Sequence, residues 1–223
     1  MSPDSCAPCH RCVPRGFTLL ELLVILVLIG LIVGLVLPSL AKTRKKAIAQ
    51  ASLNYGRSIG AAFQKYADHH DGALVPISQP KPGEAEKVSW TELLGDYREA
   101  SVEAQNRQFA IGYNHQLSKL LSFGSILNPA MTVAFGDAGE IENPSEPNPD
   151  KWREAPRKSK HDRALVFETP GGKDWKNSSN RMVNRHFGRA SVVFADGRVV
   201  LVPVGAVGFQ YKSGHSRALW DNK

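Results

Sequence analysis

Three groups of residues in this chain have the types and spacing that chemistry could use. The first is Cys6-Ala-Pro-Cys9-His-Arg-Cys12, which reads superficially as a metal or redox motif. No cysteine follows it, so the rest of the chain can hold neither a disulfide nor a thiolate metal site. A zinc knuckle needs a second ligand pair further along, and the cluster is read as incidental. The second group is His186 with Asp196 and Gly197, a base with an orienting carboxylate or two metal ligands. Hydrolysis would also need a nucleophile and an oxyanion hole, and no Gly-x-Ser-x-Gly or His-Glu-x-x-His segment occurs. The plainer expectation is that His186 bonds across to a hairpin whose turn is Asp196-Gly197. The third group, His69-His70-Asp71-Gly72, suits the end of a helix, with basic side chains near the C-terminal dipole and Asp-Gly to stop it. No catalytic residue, cofactor or metal is expected.

The oddest charge is Glu21. From Phe17 to Leu37 it is the single charge in 21 consecutive residues, and roughly 20 apolar residues span a bilayer as a helix. A charge in hydrocarbon costs about 2.5–3.5 kcal/mol on insertion scales. Secretory signals carry their cleavage site after the apolar stretch. Here Pro14-Arg15-Gly16 precedes it, so a cut there leaves the whole helix in the product. Gly16-Phe17-Thr18-Leu19-Leu20-Glu21 with its apolar run resembles the type IV prepilin and type II secretion pseudopilin signature. The resemblance implies that a membrane prepilin peptidase cuts after Gly16 and methylates Phe17. It also implies that Glu21 pairs with the terminal amine of a neighbouring subunit, another copy or a related pilin. A neighbour's ammonium would relieve the cost of the buried acid through a charge-assisted hydrogen bond. Pro38 stands where pilins commonly loosen the helix.

The same resemblance implies a single-pass protein of the bacterial inner membrane, delivered by an assembly platform. Its leader is expected in the cytoplasm and its head in the periplasm, then in a filament. Charge counting points the other way. Arg11 and Arg15 precede the apolar run, while Lys42, Arg44, Lys45 and Lys46 follow it, and the positive-inside rule would keep the larger part cytoplasmic. The orientation with the leader facing a cytoplasmic-side peptidase is preferred.

The elements that position these residues follow from periodicity. Residues 1–16 are the leader and 17–38 the membrane helix. Ile48, Ala51, Tyr55, Ile59, Ala62, Phe63 and Tyr66 recur at helical spacing, so an amphipathic continuation is expected over 39–70. Gly30-Leu-Ile-Val-Gly34 suits close helix packing in lipid. Residues 71–223 form the head, with long loops at about 76–87 and 138–162, the second an exposed, proline-rich one. A short helix over Trp90–Tyr97 and strands at Phe109–Tyr113, Met131–Phe135 and Leu165–Glu168 are expected. The clearest hairpin pairs Ser191–Ala195 with Arg198–Val202 about a two-residue Asp196-Gly197 turn. The fold class is α+β: one long helix on a small, mostly antiparallel sheet.

Arg185-His186, nine residues, then Asp196-Gly197 resembles a motif of a pseudopilin-like family, as do Tyr66-Ala67, Asp71-Gly72 and Gly112-Tyr113-Asn114. That resemblance speaks to fold and anchoring. Major pseudopilins often hold calcium near the C-terminus, but the last 25 residues here contain one carboxylate, Asp221, and hard cations want several oxygens. A DNA-binding minor pilin of an uptake system is the rival reading. Formal charge is +7, the leader removes two arginines and one aspartate, and Arg181, Arg185, Arg189, Arg198 and Lys212 cluster near the last hairpin. No DNA-binding motif accompanies them, and nucleic acid is not the expected partner. A membrane-anchored metal-binding or hydrolytic domain is the remaining alternative.

Overall fold

The computed structural model describes residues 16–80, 87–97, 109–156, 166–173 and 175–222. Cys6, Cys9, Cys12, Arg11, Arg15 and Leu165 lie outside the described residues, as do parts of both long loops. Two compact units are present, Met1–Arg44 and Lys45–Lys223.

Helix α1 runs unbroken from Leu19 to His69. Every described side chain from Leu19 to Ala47 is exposed, and burial begins at Ile48. Its first part is apolar and long enough to cross a membrane. From there the 3.6-residue period takes over: Tyr55, Ile59, Ala62, Phe63, Tyr66 and Ala67 are buried. The helix stops at two left-handed residues, Asp71 (φ 52°) and Gly72 (φ 80°). The Gly72 amide donates to Ala67 O at 2.8 Å and the Ala73 amide to His70 O at 2.8 Å, closing the turn. His70 stacks on Tyr66, ring centroids 4.1 Å apart, and bonds the Tyr97 hydroxyl at 3.1 Å.

A small hairpin follows, β1 (Ser78–Pro80) with β2 (Lys87–Ser89), then one turn of helix α2 (Trp90–Leu93) continued by a 3-10 turn at Gly95–Tyr97. Trp90 and Leu94 are buried, as a single apolar face requires. The main sheet contains β3 (Ile111–Asn114), β4 (Val133–Glu140), β5 (Val166–Phe167), β6 (Asn180–Met182), β7 (Ala190–Phe194) and β8 (Val199–Val202). Its order is β5-β3-β4-β7-β8, with β6 also on β4. All pairs are antiparallel except β3 with β5. A one-turn helix, α3 (Val204–Val207), leads into the C-terminal segment. The chain is thus an α+β fold with a long N-terminal helix and a mostly antiparallel sheet, of the pilin-like kind.

The sheet is covered on both faces. Residues of α1 from Tyr55 onward pack with Trp90, Tyr113, Phe135 and Val193 into one core. Here Phe63 meets Phe135 edge-on at 5.2 Å and Tyr113 stacks on Phe135 at 4.7 Å. The opposite face buries Val192, Phe194, Met182 and Trp152 with Val207, Phe209 and Trp220. Successive β7 residues therefore feed different cores, as strand alternation demands.

Two expectations need correction. The stretch 138–162 is not simply an exposed loop: β4 continues to Glu140, and Ile141 and Trp152 are buried beyond it. Nor is the last hairpin closed by two residues. Phe194 pairs with Arg198, Gly197 N–H donates back to Phe194 O at 2.9 Å, and only Gly197 is left-handed, at φ 86°. This is a three-residue loop with glycine in the bulge position, since a mirror-image two-residue turn would need Asp196 left-handed as well.

The turn matters because α1 lies against it. A Cβ on Gly60 would stand 3.1 Å from both the Cα and the carbonyl oxygen of Gly197, and one on Gly56 would stand 3.0 Å from Val199. Gly60→Val is expected to lower stability by about 1–3 kcal/mol through overpacking against backbone that cannot yield. Ala61→Val on the exposed side of the same turn should cost under about 0.7 kcal/mol. Urea unfolding of the detergent-solubilised chain checks the contrast.

Candidate functional site

Two constellations carry the charged chemistry, one at the start of α1 and one inside the head. At the helix start, the Thr18 amide and hydroxyl both donate to Glu21 Oε2, at 2.9 and 2.8 Å. Thr18 Oγ1 in turn accepts the Glu21 amide at 3.2 Å. This reciprocal capping box satisfies donors that the first turn leaves open. The acid also stands where the helix dipole favours negative charge. Gly16 and Phe17 lead into it, and both are exposed. Thr-x-x-Glu ahead of an apolar run is a legible sequence sign of this cap.

In the head the central group is Asp137, fully buried in β4. Its Oδ2 accepts the Ser191 amide at 2.7 Å and lies 3.2 Å from His186 Nε2, off the axis of a good hydrogen bond. Its Oδ1 lies 3.6 Å from Arg185 Nη1. Arg185 spends its other donors on Ala110 O (2.6 Å), on Ala138 O (2.5 Å) and on both oxygens of Glu154. Gly139 keeps room for that pair, since a Cβ there would be 2.7 Å from Glu154 Oε1. Arg185 thereby ties β4, the chain entering β3 and the segment around residue 154 together.

His186 and Asp196 are not brought together as base and carboxylate. The partner of His186 is Asp137, which no motif marked. His186 reaches the last hairpin only through that carboxylate, which also holds the Ser191 amide. Asp196 stays at its turn, Oδ1 accepting the Arg198 amide at 2.9 Å. Among the described residues His186 has no hydroxyl partner, and no group of three metal-ligating side chains converges. Asp221 is occupied by Ser213 Oγ and the Gly214 amide, both at 2.7 Å, and by Gln116 Nε2 at 3.1 Å.

The basic cluster of the last third is not one surface. Arg181 is buried, with its guanidinium carbon 3.7 Å from the Trp175 ring centre. Burial pulls its pKa down to about 10, against the opposing pull of Glu168. With Arg185 also turned inward, Arg189, Arg198 and Lys212 are left outside. Between His186 and Arg189 the chain makes a tight reversal, closed by bonds of 2.8 and 3.1 Å between the two backbones. Its central residues are Phe187 (φ 54°) and Gly188 (φ 72°). A left-handed non-glycine residue costs about 1–2 kcal/mol, and this one holds an aromatic ring 59% exposed.

Asp137→Ala should destabilise the head by about 1–3 kcal/mol, because it leaves the buried Ser191 amide without its acceptor, while Arg185 keeps Glu154. Asp196→Asn should change stability by under about 0.5 kcal/mol, since asparagine keeps both the turn and the acceptor for the Arg198 amide. Chemical denaturation of the two variants separates a buried charge centre from a turn residue.

The chain matches the family model described as the prokaryotic N-terminal methylation motif, over residues 14–37. No curated protein and no solved structure matches it. The matched segment contains Gly16, Phe17 and the Thr18–Glu21 cap, and it opens the apolar length of α1. Residues 14–37 are therefore a prepilin-type signal, carried on a membrane-anchoring helix.

Proposed function

We propose that this protein is a structural subunit, not an enzyme, of a type IV pilus-like or type II secretion pseudopilus filament. The observation that carries the reading is the coincidence of the methylation motif with the start of α1. The one segment holds a candidate cut after Gly16, the candidate methylation site Phe17 and the lone acid Glu21. A prepilin peptidase would process the chain, and an inner-membrane assembly platform would deliver it to other pilin subunits. The leader would face the cytoplasm and the head the periplasm. In the head, the buried Arg185–Asp137–His186 centre serves packing, with His186, Asp196 and Gly197 as a structural motif.

The mature protein is expected to begin at Phe17 with an N-methyl group. N-terminal mass spectrometry of membrane-extracted protein reads this, and retention of Cys6, Cys9 and Cys12 in the mature species would refute it. Glu21→Gln is expected to insert and be cut but to yield few or no filaments, because it keeps volume and removes the charge that a neighbour's ammonium needs. Thr18→Val removes the cap, at about 0.5–2 kcal/mol of helix stability, yet leaves the carboxylate, and should still assemble. Electron microscopy of sheared filaments beside immunoblots of processed protein distinguishes these outcomes. Normal filament yield from Glu21→Gln would end the ion-pair mechanism.

A further inference from the structure

The described head presents an aromatic side chain and an unpaired lysine at one recess. Lys45, Ile48, Arg185, His186 and Phe187 line a cavity of about 210 Å³. Phe187 is exposed at the tip of its reversal, in a backbone conformation that disfavours any side chain with a Cβ. Asparagine or glycine would fit that position without strain, so the ring is not there for the turn. Strain of this kind is kept where it serves a function.

The charges around the ring are unequal in kind. Arg185 is neutralised by Glu154 and approaches Asp137, and His186 faces Asp137. Lys45 and its neighbour Lys46 are exposed and make no ion pair among the described residues. Nor can α1 supply one, since no Asp or Glu occurs from residue 22 to residue 67. Along the same helix Lys45 comes only five residues after Leu40, which is about 7.5 Å at the helical rise. A free ammonium group beside an exposed aromatic ring, with a second exposed lysine next to it on α1 just past an apolar run, matches the headgroup zone of an anionic bilayer. There lysines are attracted and aromatic rings settle.

We infer that Phe187 and Lys45, joined by Lys46 next in the helix, form a docking surface for anionic phospholipid, which holds this edge of the head on the membrane. The inference rests on the reading of α1 as a membrane anchor. It also gives the lysines after the apolar run a role other than setting topology. Each lysine is worth roughly a fivefold preference for an anionic surface.

The test uses the full chain in lipid nanodiscs of phosphatidylcholine alone and of an equimolar mixture with phosphatidylglycerol. A Phe187→Trp variant, read as a difference from the parent chain, should show blue-shifted emission and quenching by brominated acyl chains only in the anionic discs. Lys45→Gln with Lys46→Gln should abolish that response, and so should high salt. Hydrogen exchange of the parent chain over residues 184–189 gives the same answer without an altered ring, and should slow only in anionic discs. Incorporation into both discs with no lipid-dependent change in emission or exchange overturns the docking surface and leaves the anchor intact. Failure to enter either disc overturns the anchor, and the docking surface with it.

Discussion

The head is organised around the near-contact of two backbones, that of α1 at Gly60 and that of the β7–β8 turn at Gly197. No side chain fits between them, so the apolar residues on either side, Ile59 and Phe63 on the helix and Val193 on the strand, can meet directly. The left-handed Gly197 satisfies the turn and the contact together. Strand β7 then transmits the arrangement. It is fully buried, it contributes to both cores, and the Ser191 amide fixes it to Asp137 of β4. Through β7 the sheet, the second core and the charge centre are all joined to this contact.

A buried carboxylate beside a guanidinium and an imidazole looks like a catalytic arrangement, and the bonds that Asp137 and Arg185 make here run to the surrounding backbone and to Glu154. Asp137 is fully buried, and the described donors around it come from backbone, Arg185 and His186. Removing a member of such a set is costly, whereas its presence adds little net stability. What it can supply is specificity: the Arg185 fork admits one alignment of Ala110, Ala138 and Glu154.

The helix and the last hairpin were legible because their signals are local. Tyr55, Ile59 and Phe63 repeat at helical spacing, and Val192 and Val193 precede an Asp-Gly pair. The length of the turn was not legible, because the same dipeptide serves both a mirror-image two-residue turn and a three-residue loop with a glycine bulge. Asp137 could not be found from its neighbours in sequence. It sits among Gly136, Ala138 and Gly139, and the Ser191 amide that it accepts is 54 positions away. Ile141 and Trp152 were hidden by the prolines and charges around them, although tertiary packing buries both. At the helix start, Gly16, Phe17 and Glu21 stood out by resemblance, while Thr18 and Glu21 also carry the Thr-x-x-Glu spacing of a capping box, whose bonds the geometry shows.

The Thr18–Glu21 cap has a consequence for the order of events. In the uncut chain the first turn of α1 presents its partial positive pole to a neutral peptide link at Gly16–Phe17, and Glu21 balances that pole. Hydrolysis of that link would put a full positive charge one residue before the cap, where the helix field repels it. The freshly trimmed monomer would then be electrostatically frustrated at its own tip, with one carboxylate serving both the pole and the new ammonium. Under the proposed assembly, a second carboxylate on an adjoining helix would remove the frustration, so that the peptidase would load a spring and polymerisation would release it.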